Sequence, residues 1–330
     1  MADAARELIQ YARRDASEPQ RFTAYAPSNI ALAKYWGKRD TILNLPCNSS
    51  LSISLGTWGT ETTIEPAERD EVILNGETLA IDTAFVRKTL AFADLFRGAN
   101  KTPLHISTVN TVPTAAGLAS SASGFAALTK ALCGTFALDL TEIEMSLIAR
   151  LGSGSAARSF WHGFVKWNVG EAEDGNDSRG VPLGIEWPEF RIAILHVDSS
   201  QKKVSSRDGM NHTVETSPLF KAWPALAERD CSTIEKAIKD RDFQTVGETA
   251  EANALAMHAT MQAARPSFSY LTSRTWGVLE RLWQAREEGL HAYATMDAGP
   301  NVKLLFLADE AGNVLDTFSD AQVISPWVNA

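Results

Sequence analysis

Pro113-Thr114-Ala115-Ala116-Gly117-Leu118-Ala119-Ser120-Ser121-Ala122-Ser123-Gly124 joins two stretches of different periodicity. Before it, Leu104-His105-Ile106-Ser107-Thr108-Val109 alternates in the manner of a half-buried strand. After it, Phe125 to Phe136 carries the apolar spacing of a helix. The segment is therefore a strand-to-helix connection. Its small residues let backbone N–H groups approach an anion closely, and the helix N-terminus adds about half a positive charge. A bare Gly/Ser/Ala run would equally suit a helix start packed tightly on another helix. Proline at the entry, glycine inside and the hydroxyls of Ser120, Ser121 and Ser123 tip the reading toward phosphate.

The 330 residues suffice for two domains with substantial cores, at roughly 100 to 200 residues per domain. Hydrophobic content of 45% and charged content of 22% are those of a soluble globular chain. A net charge of −9 argues against general binding to nucleic acid or to a membrane surface, although local clusters still allow an anionic substrate. Cys47, Cys133 and Cys231 are odd in number and widely spaced, so neither a disulfide framework nor a zinc site is indicated. Met1 to Glu7 is charged and lacks an apolar signal core, and no apolar run approaches the roughly 18 residues of a membrane span. A cytoplasmic protein is expected.

Residues 1–20 read as a polar helical extension. Strands are expected at Phe22–Ala26, Ser50–Leu55, Glu61–Glu65 and Glu71–Leu79, the last folded into a hairpin by Asn75-Gly76. Ala84–Arg97 has helical spacing, and Thr141-Glu142-Ile143-Glu144 is a capping box that opens another helix. A strand at Gly163–Val169 precedes an acidic, Gly/Asn-rich loop at 171–180. Then come a strand at Arg191–Val197, helices at Ser217–Glu228, Phe243–Ala264 and Tyr270–Glu288, and strands at His291–Met296 and Lys303–Ala308. Strands mixed with segregated helices give an α+β fold.

Four further features carry chemistry. Ala26 to Asp40 contains Lys34-Tyr35-Trp36-Gly37-Lys38-Arg39, three cations among aromatics, able to clamp a multiply charged phosphate or simply to form a solvated basic turn. Leu151 to Arg158 superficially fits the dinucleotide fingerprint, but a helix precedes it where that fingerprint needs a strand. A lone arginine ending a Ser/Gly loop suits a carboxylate or phosphate instead. Asp297 follows an apolar strand and precedes Ala298-Gly299-Pro300-Asn301, a place for a catalytic carboxylate or for an ordinary Asp turn. Gln201 to Arg207 is a second basic, hydroxyl-rich stretch that reads in isolation as a charged loop. The six histidines show no ligand spacing, His258 reads as an ordinary helix residue, and no Walker-type loop is present.

Taken in order, these segments resemble a known family. The loop 113–124 resembles the phosphate motif of the galactokinase, homoserine kinase, mevalonate kinase and phosphomevalonate kinase superfamily, the GHMP kinases. Asn29 to Asp40, Gly152 to Ser159 and Asp297 to Asn301 are similar to the mevalonate diphosphate decarboxylase branch, over roughly residues 22–308. The resemblance implies a GHMP kinase fold. Its parts would be an N-terminal extension (1–20), an ATP-binding domain of the ribosomal protein S5 type (21–188) and a ferredoxin-like domain (189–330), with the site between the domains. It implies ATP-dependent conversion of mevalonate 5-diphosphate to isopentenyl diphosphate, ADP, phosphate and carbon dioxide, with magnesium, in a homodimer. Relatives acting on the 5-monophosphate, or phosphorylating mevalonate at its 3-hydroxyl without decarboxylation, are the alternatives.

By the same resemblance Asp297 takes or orients the hydroxyl proton, Lys34 tunes its charge and Arg158 holds the substrate carboxylate. Asn29, Tyr35, Lys38, Ser153, Ser155, Ser206 and Arg207 would bind substrate. Asn110, Pro113, Ala116, Gly117, Leu118, Ala119, Ser120 and Ser121 would bind ATP, and Ser121 would touch magnesium. Ala157 stands where relatives often carry cysteine or serine.

Overall fold

The structure is a computed structural model and describes residues 3–12, 18–98, 101–111, 120–198 and 204–327. Among these, seven strands form one sheet around a long central strand, β4 (Ser50–Pro66). β1 (Phe22–Ala33) runs antiparallel along almost all of β4, and between them in the chain β2 (Lys38–Asp40) and β3 (Leu45–Pro46) pair as a separate two-stranded ribbon. The sequence suggested two short strands where β4 is one, because Gly56 to Gly59 interrupts the alternation. Gly56 has φ +57, and a Cβ there would meet the Ser325 carbonyl oxygen, so the strand bends at that point without ending. β5 (Glu71–Leu74), β6 (Glu77–Thr78) and β7 (Leu104–Asn110) extend one side of the sheet. β8 (Phe164–Trp167) and β9 (Gly180–Pro182) extend the other. Asn75 and Gly76 both take positive φ, as the Asn-Gly turn between β5 and β6 requires.

Three helices cover one part of this sheet: α2 (Ala84–Arg97), α3 (Ser121–Thr135) and α4 (Glu142–Gly152). Their apolar faces meet Ile64, Val72, Leu104 and Ile106 in one core. α1 (Asp3–Ala12) adds Ile9 and Ala12 to it, so the expected extension is docked. Thr141 caps α4 in the expected box, with its hydroxyl facing Glu144 N–H and Glu144 answering Thr141 N–H.

The second sheet has the order β11 (Ala292–Met296), β12 (Val302–Leu307), β10 (Phe190–Leu195), β13 (Gln322–Ile324), all antiparallel. α6 (Trp223–Asp240), α7 (Phe243–Gln262) and α8 (Ser273–Glu287) pack with it, and α9 (Ala311–Thr317) follows β12. The expected helix 217–228 is corrected here. Pro224 sits in the first turn of α6, where its missing N–H costs nothing, and the apolar positions Cys231, Ile234 and Ile238 carry the helix on to Asp240. The stretch ending at Arg207 also changes, since Ser206 and Arg207 open helix α5 (Ser206–Thr216), capped by Ser205 on Asp208 N–H. Short-range patterning hid α5 because only Gly209, Met210 and Thr213 are buried.

The two sheets share a core. Ile30, Leu32, Leu51 and Ile53 of the first meet Phe190, Ile192, Ile194 and Leu305 of the second, with Ile234 and Ile238 of α6. Trp36 and Trp223 form a further cluster with Met210, Met257, Met261 and Tyr270. Trp223 Nε1 donates to the Trp36 carbonyl at 2.7 Å in a buried setting. Trp223→Phe would keep the ring and strand that carbonyl, at an expected cost of about 1–3 kcal/mol. The check is a lowered urea midpoint with an unchanged m-value. No described helix is long and apolar enough to cross a membrane.

Candidate active site

A cavity of about 630 Å³ opens where the two sheets meet, within the size range of small-molecule sites. β1 ends at Ala33 and delivers Lys34 to its floor. Lys34 is fixed on several sides. Its N–H donates to Asn253 Oδ1 at 2.8 Å, its carbonyl accepts from Asn48 Nδ2 at 2.9 Å, and its Nζ donates to the Ala31 carbonyl at 2.7 Å. Nζ also lies 2.8 Å from Asp297 Oδ1, an ion pair that joins the two halves of the chain.

Asp297 follows β11 on a turn anchored by Asn301, whose Oδ1 accepts from Val197 and Asp198 N–H at 2.8 and 3.2 Å. The Asp297 side chain keeps 38% exposure against 2% for Lys34, so the carboxylate faces the cavity while the ammonium is sealed. Burial alone would push its carboxyl up, but the charges and hydrogen bonds of Lys34 and Lys303 hold it well below the usual carboxylate range. Burial lowers the Lys34 ammonium to about 8, with Asp297 opposing the fall.

Arg158 ends a 3-10 turn, Gly154–Arg158, that follows α4. Its guanidinium is buried, one nitrogen donates to Ser50 Oγ, Nε has no partner among the described residues, and the Trp167 ring lies 5.8 Å away. Tyr35 Oη is likewise buried without a partner, edge-on to Trp167. Buried donors of this kind beside a cavity suit an anionic ligand. Gly154 allows this crowding, because a Cβ there would come within 2.9 Å of both the Tyr35 and Trp167 rings. Ser153 and Ser155 stand on the same wall with their hydroxyls 3.3 Å apart. Asn29 lines it too and donates to Ser159 Oγ at 2.7 Å.

At the other end Lys38, Lys88, Ser206 and Arg207 converge. Burial, then the charge of Arg207, lowers Lys38 to about 8, and burial with Arg207 and Lys38 does the same to Lys88. Mutually repelling cations, with Lys38 and Lys88 part-buried and Arg207 exposed, are a receptor for negative charge. Lys38 Nζ donates to Asn44 Oδ1 at 2.6 Å. The N-terminus of α3 opens on the same space through Ser121, and its cap residue Ser120 makes no side-chain capping bond. A helix start of this kind fits a phosphate group. Among the described residues no cluster of three His, Cys, Asp or Glu could hold a metal alone, and Ser121 is a hydroxyl that lines the cavity at the start of α3.

Asn110 stands apart from the cavity walls, its Oδ1 accepting from Thr60 Oγ1 at 2.9 Å. Pro113, Ala116, Gly117, Leu118 and Ala119 lie outside the described residues. Sequence reasoning missed Lys88, Lys303 and Asn44, all on the cavity wall. Lys303 had a signal, as a lone charge inside the apolar run Val302 to Leu307. His258, read as an ordinary helix residue, is buried beside the Asp297 backbone and lowered to about 3, chiefly by burial and then by the charge of Lys34.

The two-domain α+β frame is the GHMP kinase fold, as its likeness to solved structures shows. Two family descriptions cover most of the chain: "Diphosphomevalonate decarboxylase-like N-terminal domain" over residues 26–180 and "Mevalonate 5-diphosphate decarboxylase C-terminal domain" over 192–326. The chain belongs to the diphosphomevalonate decarboxylase family. The diphosphomevalonate decarboxylase of Aspergillus fumigatus is 40% identical over 325 residues, covering 90% of this chain and 79% of its own. The crystal structure of mevalonate diphosphate decarboxylase from Staphylococcus aureus superposes with a TM-score of 0.86 at 35% identity, covering 93% of this chain and 95% of that one. "MDDEF in complex with MVAPP, AMPPCP and Magnesium" superposes with a TM-score of 0.86 at 38% identity, covering 93% and 96%.

Proposed function

We propose that the chain phosphorylates the tertiary 3-hydroxyl of mevalonate 5-diphosphate with ATP and then releases phosphate and carbon dioxide, giving isopentenyl diphosphate and ADP. One observation carries the reading. The Lys34–Asp297 pair, the buried Arg158 and the cations Lys38, Lys88 and Arg207 line a single cavity, matching a hydroxyl, a carboxylate and a diphosphate on one small molecule.

In this reading Asp297 accepts the hydroxyl proton as the oxygen attacks the terminal phosphorus of ATP. Lys34 keeps the carboxylate ionised and turned to the cleft. Arg158 orients the substrate carboxylate, whose C–C electrons collapse into the alkene as phosphate departs from C3. Tyr35, Lys38, Lys88, Ser206 and Arg207 hold the diphosphate, and Asn29, Ser153 and Ser155 steady the carbon chain. The α3 terminus, with Ser120 and Ser121, receives ATP phosphates. Magnesium, when bound, neutralises charge on those phosphates. The reading also includes a domain boundary at residues 188 and 189, supported by the start of β10 at Phe190, a homodimeric assembly and a cytoplasmic location.

Carbon dioxide release from mevalonate 5-diphosphate and from its 5-monophosphate, each with ATP and magnesium, tests the proposal. The diphosphate should be preferred. Each charge-assisted bond to the terminal phosphate contributes about 1.5–3 kcal/mol, hence ~10- to 150-fold in discrimination. Neutralising Lys38 or Arg207 should raise KM for the diphosphate more than it alters ATP affinity. Equal or better efficiency with the monophosphate would refute the assignment.

A further inference from the structure

We propose that Lys303 is a positioning residue for this reaction: with Lys34 it clamps the two oxygens of Asp297, so that one fixed lone pair is presented to the substrate hydroxyl. The inference rests on Asp297 as the proton acceptor. Lys34 Nζ takes Oδ1 at 2.8 Å and Lys303 Nζ takes Oδ2 at 3.3 Å. A carboxylate gripped at both oxygens cannot rotate about its Cβ–Cγ bond without breaking an ion pair.

The placement of Lys303 is costly in itself. It is the second residue of β12, between Val302 and Leu304, its side chain 3% exposed, paired in register with Thr295 of β11 and Ile194 of β10. Burying an ammonium costs several kcal/mol unless it is paired. Here the partners are Asp297 Oδ2 and the Asn301 carbonyl at 3.4 Å. An apolar side chain would fill the strand position. What the ammonium adds is charge at the second carboxylate oxygen.

Among the described residues, four groups face Asp297 from the surrounding elements: Lys34 after β1, Arg158 from the 3-10 turn, His258 from α7 and Lys303 from β12. His258 is held neutral by burial, so the carboxylate meets cations and an uncharged ring. The consequence is a weak base in a fixed place. The hydroxyl proton passes to Asp297 only as the new O–P bond forms and the bond from the terminal phosphorus to ADP breaks, with that electron pair leaving on ADP.

The test reads the carboxylate directly. In ligand-free enzyme labelled with ¹³C-carboxyl aspartate, the Asp297 signal is assigned by its loss in Asp297→Asn. In the parent its titration midpoint should lie well below the usual carboxylate range. Removing a cation from a carboxylate raises its pKa, so in Lys303→Met the titration midpoint should move up by one unit or more, tenfold or more in proton affinity. The acid limb of kcat should move the same way, with KM for ATP changed by less than about threefold. Lys303→Arg should titrate as the parent does. Lys303→Gln keeps a donor for the Asn301 carbonyl without the charge, and should behave as the Met variant. A carbon signal in either uncharged variant that titrates as in the parent overturns the clamp. Failure of both to fold, while the Arg variant folds, overturns it too, because the lysine would then serve the strand alone. A shifted signal with turnover surviving Asp297→Asn would overturn the proton-acceptor assignment instead.

Discussion

Purified Asp297→Asn enzyme should bind ATP and substrate almost as the parent does and turn over at least ~10²-fold more slowly, the typical scale for a lost general base. The substitution is isosteric, so the amide oxygen can still accept from Lys34 Nζ, now 2.8 Å from Oδ1. What disappears is the negative charge between two buried lysines. Two effects follow. The substrate hydroxyl has no acceptor for its proton, and the Lys34 ammonium, already lowered to about 8, loses the partner that opposed the fall. Calorimetric binding of both ligands, beside turnover, separates these from unfolding. Near-normal turnover in folded protein would remove Asp297 from the chemistry.

Arg158→Lys should lose ~10- to 150-fold in kcat/KM for each charge-assisted bond given up, although the charge is retained. The guanidinium has one nitrogen on Ser50 Oγ, its Nε unpartnered among the described residues and its plane near Trp167. That arrangement suits a planar fork held ready for a carboxylate. An ammonium reaching from the same backbone can satisfy Ser50 or the substrate, but not both in the fork geometry. Rates within a few-fold of the parent would show that the fork is unused.

Much of this site was legible from the chain because its signals are local. Lys34 to Asp40, Gly152 to Ser159 and Asp297 to Asn301 are contiguous segments whose small, charged and turn-forming residues carry the pattern. The cavity walls that went unread come from elements whose sequence signal concerns packing. Lys88 sits within the helical spacing of α2, and nothing in that spacing says which turn overlooks Arg207. Asn44 takes φ +53 and reaches the carbonyls of Arg150 and Leu151, a contact across more than a hundred residues that no local pattern encodes. Lys303 was visible as an anomaly, but its partner lies on the adjoining turn. The fold shows the same division. α2 and the α4 capping box were read to the residue, whereas α6 began late and ran long, because its start depends on Pro224 and its end on burial against both sheets.

The core shared by the two sheets bears on how such a chain can be inherited. Ile30, Leu32, Leu51 and Ile53 interlock with Phe190, Ile192, Ile194 and Leu305, and the Lys34–Asp297 pair sits directly on that junction. Neither half carries a finished active site, and neither has a face that would accept an arbitrary neighbour. A segment exchanged between relatives at the boundary would bring mismatched side chains to a close-packed seam, where even single-methylene misfits are felt. The distance between Lys34 and Asp297 would drift with the misfit. The two halves therefore form one hereditary unit, and changes on one side of the seam select for answering changes on the other.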